Sequence, residues 1–144
     1  MAWVNRIQTL LARTREEGTR RIVHGLHVFG NLKSCDVELL KSEEELRKIA
    51  CEAARVGNMT IVSVISHKFG IEGGVSVIVI VAESHISIHT WPEYAYATVD
   101  VYTCGAKSNP LLAFIHIARR LRAREVEMFI SDRSLYTSEE NLEA

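Results

Sequence analysis

Apolar positions recur with two different periods along the chain. Leu46, Ile49, Ala50 and Ala53 fall at helical spacing and share one face. Ser42-Glu43-Glu44-Glu45 opens that helix, with Ser42 as N-cap and Glu45 placed to reach back to it, and Gly57 stops it. A second helix is predicted from Leu111 to about Leu121, opened by Asn109-Pro110, with Leu111, Phe114, Ile115, Ala118 and Leu121 as its buried stripe. Elsewhere the period is two. Met59 to Ser66, Val75 to Ala82 and Ile86 to Thr90 are rich in Val, Ile and Thr, as strands are. From Ala95 to Thr103, Ala97, Val99, Val101 and Thr103 take one face; Tyr96, Thr98, Asp100, Tyr102 and Cys104 take the other. Ile22 to Phe29 reads as a first strand, and Val126, Met128 and Ile130 alternate in a last one. The order predicts an α+β two-layer sandwich, a mostly antiparallel sheet with helices on one face.

Composition narrows the class. A chain of 144 residues and 16.2 kDa holds one domain. Residues 1–21 read as an amphipathic extension, with Trp3, Ile7, Leu10 and Leu11 at helical spacing before a basic turn through Gly18, Arg20 and Arg21. Residues 22–144 then form the domain. A net charge of −1 disfavours a nucleic-acid partner. No apolar run reaches the roughly 18 residues of a membrane span, and no signal peptide is evident. Cys35, Cys51 and Cys104, odd in number and without a CxxC, suit the reducing cytoplasm.

One junction is anomalous. Only Glu83-Ser84-His85 separates two strand candidates, and none of the three is a usual turn residue. A wide loop or bulge is the plain explanation; strain held at the Glu83-Ser84 peptide is the functional one. With the hairpin centred near Ala82-Glu83, Ser76 lies across from His89, a hydroxyl facing an imidazole beside Ser84. A metal pair of His85 and His89 fails, because four strand residues span about 13 Å. His24 and His27, three apart in a strand, point to opposite faces, while His67 and His116 read as structural; no metal is expected.

The run Glu83-Ser84-His85-Ile86-Ser87-Ile88-His89-Thr90-Trp91-Pro92-Glu93, continuing through Thr103-Cys104-Gly105, resembles the core of the short prokaryotic S-adenosylmethionine decarboxylase proenzymes. The resemblance extends upstream through Gly74-Val75-Ser76 and more weakly from His27 to Ala123. It implies a self-processing enzyme of polyamine biosynthesis. By that resemblance Ser84 is expected to attack the carbonyl of Glu83, and the resulting ester to eliminate and hydrolyse, giving a chain ending at Glu83 and a pyruvoyl group in place of Ser84. That covalent cofactor takes the substrate's α-amine as a Schiff base and serves as the electron sink for decarboxylation. His89 matches the family's processing base and Ser76 a supporting serine; Cys104 matches the proton donor of the decarboxylation. A serine hydroxyl is a poor nucleophile at neutral pH, so a neighbouring base is needed on chemical grounds as well.

Trp91 and Glu93 match substrate-site positions, and Phe69 is the candidate aromatic for stacking on adenine, one residue further from Ser84 than in bacterial relatives because Gly73-Gly74 replaces a single glycine. Two other readings stand beside this one: an arginine decarboxylase using the same chemistry, with Asp132 as a guanidinium partner, and a non-catalytic small-molecule-binding domain of the same fold. Family habit implies a homo-oligomer of cleaved protomers, a dimer or tetramer.

Overall fold

The computed structural model describes residues 18–138 and the backbone of residues 6–10. Its elements are β1 (Arg6–Leu10), β2 (Thr19–Val23), β3 (Leu26–Lys33), α1 (Val37–Lys41), α2 (Glu43–Val56), β4 (Ile61–Lys68), β5 (Val75–Val81), β6 (Ser84–Trp91), a 3-10 turn (Pro92–Tyr94), β7 (Tyr96–Thr103), α3 (Pro110–Arg120), β8 (Glu125–Asp132) and β9 (Leu135–Ser138). Seven strands form one sheet in the order β1-β8-β3-β7-β6-β5-β4, while β2 and β9 pair as a separate ribbon. All pairings are antiparallel except β1 with β8. The α+β two-layer sandwich expected from the sequence is the fold found.

Both long helices begin where their caps predict. Ser42 Oγ accepts the Glu45 N–H at 3.2 Å, and Asn109 Oδ1 accepts the Leu112 N–H at 3.0 Å with Pro110 following. In α2, Leu46, Ile49, Ala50 and Ala53 are buried as the spacing required. The stripe of α3 is rotated from expectation: Ala113, Phe114, Ile117 and Ala118 are buried, while Leu111 and Ile115 lie at its margin. Against these helices the sheet presents Val75, Val77, Val79 and Val81 of β5, Ile86 and Ile88 of β6, and Ala97, Val99 and Val101 of β7. Phe114 is buried at the centre of this layer; truncating it to alanine would cost about 3–5 kcal/mol.

Three expectations need correction. Residues 6–10 are a strand along β8 rather than a turn of helix; a five-residue run satisfies either period, and pairing with β8 decides it. Trp3 and Leu11 lie outside the described residues. The single strand from Ile22 to Phe29 is broken at Gly25, whose carbonyl accepts the Arg133 N–H at 2.8 Å, so β2 leaves the main sheet and crosses the proposed boundary at residue 21. The strand through Val126, Met128 and Ile130 is not the last: Leu135–Ser138 form β9, the partner of β2.

The helices leave the other sheet face open. Across it run rows set by strand register: Ile65, Ile78, Ser87, Asp100, Phe29 and Phe129 in one, and His67, Ser76, His89, Thr98, Asn31 and Glu127 in another.

Candidate active site

The anomalous junction is a two-residue hairpin. Val81 pairs with Ser84, leaving Ala82 and Glu83 as the turn, and the backbone strain falls on Ser84, whose φ is 146°. Glycine alone adopts such angles freely; for serine the cost is about 1–3 kcal/mol. The carbonyl of Glu83, the atom group that Ser84 would attack, accepts the backbone N–H of Cys104 at 2.7 Å. A donor aimed at that oxygen stabilises the negative charge that develops when the carbon is attacked. Cys104 itself lies just beyond the end of β7 and is exposed. The loop that carries it is fastened by Ser108 Oγ, which donates to the Gly105 carbonyl at 2.7 Å, and by Thr103 Oγ1, which accepts the Gly105 N–H at 3.1 Å. Gly105 is packed so closely that a Cβ there would lie 2.8 Å from Glu83 Cγ. By contrast Cys35 is buried, which pushes its thiol up to about 12 and makes it inert.

The far end of β6 gathers side chains. Ser76 and His89 occupy paired positions on β5 and β6, and Ser76 Oγ is hydrogen-bonded to His89 Nδ1 at 2.8 Å. Around them lies a cleft of about 290 Å³ lined by Phe69, Trp91 and Glu93. Thr90 anchors its floor, donating to the Leu40 carbonyl at 2.8 Å and accepting the Val75 N–H at 2.9 Å. The double glycine is required here. A Cβ on Gly73 would lie 1.6 Å from the Phe69 carbonyl oxygen, and one on Gly74 would lie 2.0 Å from that of Thr90. The turn they permit closes with the Phe69 N–H donating to the Gly74 carbonyl at 2.9 Å, keeping Phe69 at the cleft despite the longer spacing.

All the expected residues therefore fall at two places, not one. Ser76 faces His89 as expected, but not beside Ser84. His89 follows Ser84 by five positions on one extended strand, about 16 Å away. Within one chain His89 cannot reach the Ser84 hydroxyl.

A third group lies between these ends on the open face. His27 Nε2 donates to Asp100 Oδ1 at 2.9 Å, holding the Asp100 carboxyl below the usual aspartate range. His85 stands beside Tyr102, and burial lowers its tendency to protonate; Arg133 lies over the Tyr102 ring at 4.7 Å. The polar face of β7 signalled Asp100, but nothing in the spacing linked it to His27 on β3, four strands earlier in the sequence. Asp132 is already engaged: it accepts the Ser134 N–H at 2.9 Å and the Tyr136 hydroxyl at 2.6 Å, which together hold its carboxyl low.

A strained serine whose preceding carbonyl rests on an amide N–H is a fit precursor for a pyruvoyl group, and known proteins agree. The pattern of the S-adenosylmethionine decarboxylase family matches residues 26–134. The chain is 52% identical over 116 residues to the S-adenosylmethionine decarboxylase proenzyme of Pyrobaculum islandicum, covering 81% of this chain and 93% of that one. It is 56% identical over 121 residues to the arginine decarboxylase proenzyme of Hyperthermus butylicus, covering 83% and 84%. The crystal structure of the adenosylmethionine decarboxylase of Aquifex aeolicus superposes with a TM-score of 0.74 at 34% identity, covering 81% of this chain and 95% of that one. The chain thus belongs to the S-adenosylmethionine decarboxylase family, and is a pyruvoyl-dependent carboxy-lyase acting on a small molecule, its carbonyl cofactor made from a serine of the chain itself.

Proposed function

We propose that the chain cuts itself between Glu83 and Ser84 into residues 1–83 and 84–144, and that the mature enzyme decarboxylates S-adenosylmethionine. The cleavage reading is carried by the Glu83 carbonyl held on the Cys104 N–H beside a serine at φ 146°. The Ser84 hydroxyl oxygen bonds to the Glu83 carbon, the peptide C–N bond breaks, and the hydroxyl proton ends on the Ser84 nitrogen. Removal of the Ser84 α-proton then expels Glu83 as a carboxylate, and water replaces the nitrogen, which leaves as ammonia. The carbonyl so made would supply an electron sink for the bond to the substrate carboxylate. Cys104 holds the proton that returns to the substrate carbon.

His89 supplies the base, and it does so from a second copy of the chain. Ser84 and His89 lie too far apart within one protomer, while the open sheet face carries Phe29, Phe129, Ile65, Ile78 and Ile80 with no helix among the described residues to cover them. Two such faces packed together bring the Ser84 end of one chain toward the cleft of the other. Light scattering should give twice the chain mass; a monomer that cleaves itself at full speed would defeat this arrangement. The three free cysteines favour the reducing cytoplasm, and no helix among the described residues is long and apolar enough to cross a membrane.

Phe69 and Trp91 favour S-adenosylmethionine, because an adenine ring needs flat apolar walls to offset its desolvation. Glu93 in the same cleft suits the sulfonium charge or the sugar. Arginine is the second reading, favoured by the Hyperthermus relative. Against it, both oxygens of Asp132 are already bonded within the chain, so that carboxylate is not free for a guanidinium. Release of ¹⁴CO₂ from each carboxyl-labelled substrate decides. Turnover of arginine alone would reverse the ranking and leave the cleavage chemistry intact; an uncut, inactive chain would favour a binding domain.

A further inference from the structure

We propose that the Glu83 carboxylate is a positioning group for the chain's own cleavage, clamping the scissile carbonyl against the Cys104 amide. The inference rests on self-cleavage at Glu83-Ser84 and concerns a side chain to which that chemistry otherwise assigns no task.

The Glu83 side chain runs away from the bond to be cut. Its Oε2 accepts the Thr60 N–H at 3.0 Å, in the segment between α2 and β4. Thr60 holds the turn a second time, since its carbonyl accepts the Ala82 N–H at 2.8 Å. The same segment also grips the loop that follows Cys104. The Gly57 carbonyl accepts the Asn109 N–H at 2.8 Å, and Asn58 Nδ2 donates to the Lys107 carbonyl at 3.1 Å. Residues 57–60 therefore brace both partners of the critical hydrogen bond, Glu83 with its carbonyl and the Cys104 loop with its N–H. Gly105, pressed against Glu83 Cγ, closes the remaining side.

This brace matters because Ser84 is strained. The turn could relax by rotating the peptide between Glu83 and Ser84, and that rotation would swing the carbonyl off the Cys104 N–H. A carboxylate fixed at Thr60 opposes the rotation, and a bond from a backbone N–H to an ionised acceptor is stronger than one to a neutral acceptor. The Thr60 N–H also holds the Glu83 carboxyl below the usual glutamate range, so the clamp is charged at neutral pH. The carboxylate takes no proton in the reaction. It sets the direction of the carbonyl before the Ser84 oxygen bonds to its carbon.

The test uses the full chain made by cell-free synthesis, followed by denaturing mass spectrometry as the intact chain becomes two fragments. Parallel samples receive hydroxylamine, which cuts esters. Glu83→Ala should cleave about 10- to 100-fold more slowly, the scale of a displaced reacting group. Glu83→Gln, which keeps an acceptor oxygen at the same reach but loses its charge, should be slowed less than Glu83→Ala, by under about 10-fold. Uncut Glu83→Ala chain should yield little hydroxylamine product, because ester formation is the step slowed. Parent-like cleavage of Glu83→Ala, or an accumulating ester, overturns the proposal. Should that variant lose its native circular dichroism, Glu83→Asp, one methylene short of Thr60, replaces it: slow cleavage supports the clamp and parent-like cleavage overturns it. A parent chain that never cleaves would instead remove the self-cleavage reading on which the clamp depends.

Discussion

The two ends of β6 work with different material. At Ser84 the important groups are backbone: a strained φ of 146°, the Glu83 carbonyl and the Cys104 N–H that meets it at 2.7 Å. At His89 they are side chains: the Ser76–His89 pair and the aromatic and acidic lining of the cleft. A reaction that breaks the main chain must position main-chain atoms, whereas recognising a small molecule needs exposed side chains of chosen chemistry. The strand holds the two about 16 Å apart, so one chain offers two incomplete halves of a site.

The sharpest way to break this comparison is to separate the halves on two chains. Ser84→Ala alone should remain an intact chain of 16.2 kDa without activity. His89→Ala alone should cleave about 100-fold more slowly for want of its base. Co-produced, the two complement each other: in a mixed dimer, the intact His89 of the Ser84→Ala chain serves the Ser84 of the His89→Ala chain. Mass spectrometry should then find about half of the His89→Ala chains, those in mixed dimers, cut at a rate near that of the parent, and the Ser84→Ala chains uncut. Were the His89→Ala chains to stay as slow in the mixture as alone, the base would be acting within its own chain and the second copy would be irrelevant to cleavage.

Cys104 tests the same division from the other end. Its backbone N–H holds the Glu83 carbonyl, while its exposed thiol is the proton donor expected for decarboxylation. Cys104→Ala keeps the N–H and loses only the thiol. Cleavage should therefore proceed within about threefold of the parent, while kcat for CO₂ release falls about 100-fold, the usual scale for loss of a proton-transfer group. Equal losses in both steps would mean that the thiol, not the amide, serves the cleavage.

The same contrast explains what could be read from the residues. Ser76 opposite His89 followed from strand alternation and a hairpin centred on Ala82-Glu83, and the structure has that register. Helix starts at Ser42 and Asn109 followed from side chains that cap. The Cys104 N–H and the Thr60 N–H carried no signal, because every residue but proline has one. Placing Ser84, His89 and Cys104 together failed for a related reason. A shared motif says that residues belong to one reaction, whereas strand geometry decides whether one chain can assemble them. The break at Gly25 and the ribbon of β2 with β9 depend on pairing across more than a hundred residues, which local patterning does not reveal.

Asp100 lies between the two ends and should serve neither, so its effect is the smallest. His27 Nε2 donates to it at 2.9 Å, and this bond, opposed by burial, holds the Asp100 carboxyl below its ordinary range. A carboxyl whose folded value is depressed stabilises the fold above the ordinary aspartate range, near 4, and loses that contribution as pH falls through the lower folded value. The two side chains are 18% and 37% exposed, so the pair contributes below about 1 kcal/mol. For a chain of this size that is about 2–4 °C in melting temperature. In the uncut Ser84→Ala background, Asp100→Asn should melt a few degrees lower at pH 6, and the gap should close by about pH 2 as the parent's carboxyl takes up its proton. Cleavage in the Ser84 chain carrying Asp100→Asn should keep its rate. A melting gap unchanged with pH would assign the loss to packing on the open face rather than to the hydrogen bond with His27, and slowed cleavage would extend the Ser84 half of the site across the sheet to β3.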